Sequence, residues 1–199
     1  CSDKLRAAIE RIEKAEKKPP KPRKDSCLPL GDLSKILEAS DDFDEQLEAW
    51  SGWHTISKPM RAQYERFVTL GNQGAQGIGY ENLGDLWKSK YDMPPAAFEA
   101  DTERLWGQVK PLYDDLHCYV RGKLQAKHGK AKIADGKPIP AHVLGNMWAQ
   151  AWGNLYAIAE PHPGQPSLDV TAGLAKKKYD EKGMIRLGEA FFTSLGMPK

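Results

Sequence analysis

The chain of 199 residues has no run approaching the roughly 18 apolar residues that a membrane-spanning helix needs. It shows no secretory leader, although a mature exported chain would have shed one. Charge of one sign is also missing: 29 Lys and Arg stand against 27 Asp and Glu, a formal net charge of +2, so no field that would collect nucleic acid or an anionic membrane is expected. The single basic run, "KKPPKPRK" from Lys17 to Lys24, is broken by prolines and reads as a solvated linker. Sustained apolar/polar alternation, the mark of half-buried strands, is absent, and so is any internal repeat.

Catalytic signatures are scarce too. A helix-borne zinc peptidase site needs two histidines one turn apart with a glutamate beside the first. The five histidines, His54, His117, His128, His142 and His162, are scattered, and none is followed by Glu, so this segment is expected to hold neither a metal site nor a catalytic residue. There is no G-x-S-x-G elbow, and "GNQGAQGIG" lacks the Lys-Ser/Thr pair of a phosphate loop. With three cysteines no dense disulfide framework is possible. Cys1 and Cys27 bracket the first helix and linker and are either a disulfide or two free thiols, while Cys118 falls within an apolar period and reads as a buried, inert thiol.

What the sequence does contain is helical periodicity, and the expected fold class is all-α. Leu5, Ile9 and Ile12 share one face of a helix over Asp3 to Lys17, closed by Pro19, Pro20 and Pro22. "DDFDEQLEAWSGW" starts a second amphipathic stretch behind Asp41 and Asp42, and "PMRAQYERFVTLGNQGA" a third that ends in a bend at Gly77 and Gly79. "ENLGDLWKSKYDMPP" reads as a short helix closed by two prolines. The longest pattern runs from Phe98 to Leu124, with a kink or break predicted at Pro111, and the last resolves into two helices split near Gly183. Six tryptophans suit core positions, each burying 150–250 Å². Trp148 and Trp152 are one turn apart, which predicts a helix near Met147 with both rings in the core. His142, Gly145 and Asn146 before them are too polar for a plain core helix, and His142 and Asn146 are expected to be buried hydrogen-bonding ties.

"LHCYVRGKL", "PIPAHVLGNMWAQAWGNLY" and "EAFFTSLG", in this order and spacing, closely resemble the angiotensin-converting-enzyme family of zinc peptidyl-dipeptidases, with "EAWSGWHT" and "GDLWKSKYDMPP" matching upstream. The resemblance covers roughly Cys27 to Met197, and "WSGWHTISKPMRAQYERFV" is closer in wording to bacterial members than to animal ones. It implies a multi-helix segment forming part of the first subdomain of a zincin-type peptidase: residues 1–26 an amphipathic helix and Pro/Lys-rich linker, 27–199 a partial peptidyl-dipeptidase domain upstream of the zinc-binding motif.

By that resemblance the intact enzyme releases C-terminal dipeptides from peptides, holds zinc and chloride, and is secreted or periplasmic, lipid-anchored if Cys1 is a mature N-terminus. The chain opens on Cys1 and stops after "FFTSLGMPK", which reads as an N-terminal fragment inactive on its own, whose partner is the missing C-terminal part of the same domain. Tyr119, Trp87 and Lys88 match chloride-binding positions, although animal members carry arginine where Lys88 stands, and lysine lacks its planar fork. Asp32 stands near a position that faces substrate, and the family's early cysteine pair corresponds to Cys1 and Cys27, here separated by an added helix. The alternative is a non-catalytic peptide-binding or structural module that has lost the zinc site.

Overall fold

The computed structural model of the protein describes residues 2–19, 27–164 and 169–198. All regular structure among the described residues is helical. The chain divides into two compact units, residues 1–160 and 161–199.

Helix α1 (Asp3–Ala15) starts where the Ser2 hydroxyl accepts the Leu5 N–H at 3.4 Å, and it buries Leu5, Ala8, Ile9 and Ile12 along one stripe. A backbone device ends it ahead of Pro19. Lys17 takes a left-handed φ of 56°, Lys18 N–H donates to Glu13 C=O at 3.0 Å and Lys17 N–H to Lys14 C=O at 3.1 Å. Helix α2 (Leu30–Ala39) and helix α3 (Phe43–His54) pack on α1. Leu33, Ile36, Leu37 and Ala49 complete a core with the α1 stripe, and Met147, from far along the chain, is fully buried in it.

Asp42 begins α3. Its Oδ1 accepts the N–H groups of Asp44 (2.9 Å) and Glu45 (2.8 Å), which would otherwise be unpaired at the helix start. The same bonds, the one from Glu45 first, hold the Asp42 carboxyl below its usual range despite the opposing effect of burial. Asp42→Ala is therefore expected to lower stability by about 1 kcal/mol at neutral pH, measured by urea unfolding. The penalty should shrink in acid, where the wild-type carboxylate is itself protonated and the contribution of a depressed carboxyl is lost.

Helix α4 (Ser57–Gly77) ends in the predicted bend, where Gly79 has φ 89°, and packs on helix α5 (Leu83–Lys88). The two prolines expected to close α5 instead open helix α6 (Pro95–His128): Pro94 is its N-cap and Pro95 its first residue, a position where a missing N–H costs nothing. Pro111 lies inside α6 without breaking it. Val120 and Leu124 near the end of α6 are buried with Ile133, Ile139, Val143, Leu144 and Leu155 in a second core. Cys118, expected to be buried, is exposed, because only the C-terminal part of α6 packs on this core. Short helix α7 (Tyr156–Ala159) closes the first unit.

In the second unit, helices α8 (Val170–Lys176) and α9 (Glu181–Ser194) are separated at Lys178, φ 52°, and Asp180 caps α9 through the Gly183 N–H. The break thus precedes Gly183, which lies in the first turn of α9.

Candidate functional site

The polar, tryptophan-bearing segment 139–156 is not a helix at Met147. It makes a 3-10 turn at Ala141–Val143, irregular backbone through Trp152, and a second 3-10 turn at Gly153–Leu155. Two residues enforce this course. Gly145 has φ 89°, and a Cβ there would lie 2.0 Å from Ala151 C=O; Ala149 has φ 56°. Asn146 Oδ1 accepts the Gln150 N–H at 2.9 Å, closing a side-chain turn where a helix would need a backbone bond. Asn146 is thus a tie, as its polarity predicts, but half-buried and local.

The segment is fixed to the first core by long-range polar bonds. Trp50 Nε1 donates to Met147 C=O at 3.1 Å, and Asn154 Nδ2 donates to Glu38 C=O at 3.0 Å. Trp152 packs on the second core and its Nε1 donates to Ala149 C=O at 3.0 Å. Trp148 does not join it: at 58% exposure it is a surface residue, as are Trp87 and Trp106, so the expectation of core tryptophans holds only for Trp50, Trp53 and Trp152, each packed against a core.

His142 is buried at 5% exposure, with its ring edge-on to Phe43 at 4.3 Å; His128 lies 5.4 Å from the same ring, and Lys132 Nζ 4.4 Å above it. Burial, then the neighbouring His128, pushes the His142 pKa down to about 4. Burial likewise lowers His128, followed by the charges of Lys127 and Lys132. His142 Nε2 is buried without a hydrogen-bond partner. Its role is thus packing as a neutral ring more than the tie its polarity predicts.

The sequence reading missed an ionic centre between α1 and α3. Arg11 grips Glu45 with both terminal nitrogens, at 3.3 and 2.8 Å, and the Ser40 hydroxyl donates to the same carboxylate at 2.7 Å. Burial pushes the Glu45 pKa up, yet the bonds from Arg11 and Ser40 and the Arg11 charge outweigh it and hold the carboxyl below its usual range.

The expected chloride residues occupy separate elements. Trp87 and Lys88 end α5, with Trp87 67% exposed; the Tyr119 hydroxyl, on α6, donates to Ala159 C=O at 3.0 Å. Asp32 is buried in the first turn of α2. Cys1 lies outside the described residues, and with it the Cys1–Cys27 pairing. Among the described residues no group of three His, Cys, Asp or Glu side chains is arranged to hold a metal. His128 and His142 share Phe43, but no third ligand joins them, so these residues do not fit a zinc ion. Among the described residues no helix is long and apolar enough to cross a membrane.

Comparison with known proteins supplies what the side chains do not. The Peptidase M2 family model, described as angiotensin-converting enzyme, matches residues 2–199. The chain is 44% identical to the angiotensin-converting enzyme of Theromyzon tessulatum over 173 residues, 86% of this chain and 28% of that protein. It is 44% identical to the enzyme of Sus scrofa over 167 residues, 83% of this chain and 13% of that protein, and 42% identical to that of Oryctolagus cuniculus over 174 residues, 86% of this chain and 13% of that protein. The chain spans little more than a quarter, or less, of the length of these curated relatives. With a family match from end to end, the chain belongs to the angiotensin-converting enzyme family of peptidases.

Proposed function

We propose that this chain is part of a zinc peptidyl-dipeptidase that releases dipeptides from the C-termini of peptides, in which it forms one wall of the substrate cleft. The observation that carries the reading is the family match over residues 2–199, together with 42–44% identity to three angiotensin-converting enzymes over 167–174 residues. Residues 27–199 are then a partial peptidase domain on which α1 is docked. The zinc ligands and the glutamate that polarises water are assigned to other parts of the intact domain. Tyr119, Trp87 and Lys88 are assigned to chloride, Asp32 to the substrate side, and Cys1 with Cys27 to a disulfide.

Surface composition supports the role of a wall that is completed by further protein. Helix α4 exposes Met60, Tyr64 and Phe67, and α6 exposes Leu105, Val109 and Leu112, the last at 72%. Contiguous apolar faces of this kind are interaction surfaces in soluble proteins.

The chain of 199 residues, assayed alone on a blocked tripeptide with added zinc, is expected to show no turnover. Chelator-sensitive release of a dipeptide would overturn the assignment of the catalytic groups to other parts of the domain. The parent reading frame gives a second check: a downstream H-E-x-x-H with a further glutamate is expected, and a complete gene without it would favour a peptide-binding module that has lost the metal.

A further inference from the structure

We draw no further inference here: the strongest candidate, the apolar groove between the start of α1 and the end of α3 that is lined by Leu5, Leu33, Ala49, Trp53 and Ile56, carries nothing because no feature of the structure shows what covers it.

Discussion

Replacing Arg11 by alanine is expected to destabilise the first unit, by less than breaking a fully buried ion pair costs, because solvent screens the exposed arginine. The asymmetry of the pair sets the size. The Glu45 side chain is 8% exposed while that of Arg11 is 59% exposed, so removing the arginine strands a buried carboxylate that only the Ser40 hydroxyl still serves. The contribution of Glu45 to the pH dependence should also change sign. In the wild type the Glu45 carboxyl is held low, so its contribution is present above the unfolded pKa and fades as pH falls through the folded value. In Arg11→Ala, burial is left as the dominant influence and raises the folded pKa of Glu45, so its contribution should decline as pH rises past the ordinary carboxylate range. Urea unfolding from pH 4 to 8 reads both effects. The double variant Arg11→Met, Glu45→Leu should lose much less than Arg11→Ala, since neither charge is then buried alone. Equal losses in the single and double variants would show that packing of the arginine stem, not the charge, is what matters.

The helices were legible wherever the signal was local. Asp42 announces α3, and the apolar stripe Leu5, Ile9, Ile12 gives α1 its buried face. Pro94 and Pro95 carried a local signal too: proline is suited to the first turn of a helix, and here it opens α6 where the sequence reading had it closing α5. The Trp148 to Trp152 spacing misled because the conformation of segment 139–156 is decided by groups a hundred residues away. Trp50 takes the Met147 carbonyl, and Asn154 is drawn to the end of α2. Periodicity records which face of an element is apolar, not whether a partner covers it. Cys118 and Trp106 both sit in a helical apolar pattern on α6, yet both are exposed, because that stretch of α6 lies outside both cores. The ionic centre was illegible for a related reason. Arg11 and Glu45 are separated by a linker and a whole helix, and each taken alone reads as a solvated charge. The family, by contrast, was legible from wording alone, since "PIPAHVLGNMWAQAWGNLY" is specific at a level that no physical pattern in the segment reaches.

Acid should release the 139–156 segment before it unfolds the α1 to α3 core, and His142 is the expected cause. Its ring is buried against Phe43, and its Nε2 has no acceptor to stabilise an added proton. Of the charged groups around it, His128 and Lys132 oppose protonation and only Asp44 favours it. A histidine with a folded pKa of about 4 against an ordinary 6.5 binds its proton more readily when unfolded. Its contribution is therefore complete above pH 6.5 and is lost as pH falls toward 4, and the shift sets a ceiling of about 3 kcal/mol. His128, lowered by burial and by Lys127 and Lys132, adds to the same slope, while Asp41 works against it. His142→Phe removes the titrating group and keeps an aromatic edge near Phe43. Between pH 7 and pH 4 it should lose less stability than wild type, and amide exchange in Ile139 to Leu155 should accelerate less on acidification. The contrast between the two proteins isolates the histidine from carboxylates common to both. Parallel stability curves for wild type and His142→Phe over that range would show that the segment does not respond to His142. Faster exchange in α1 than in Ile139 to Leu155 would place the acid-sensitive contact in the Arg11–Glu45 centre instead, where a carboxylate held low loses its partner as it protonates.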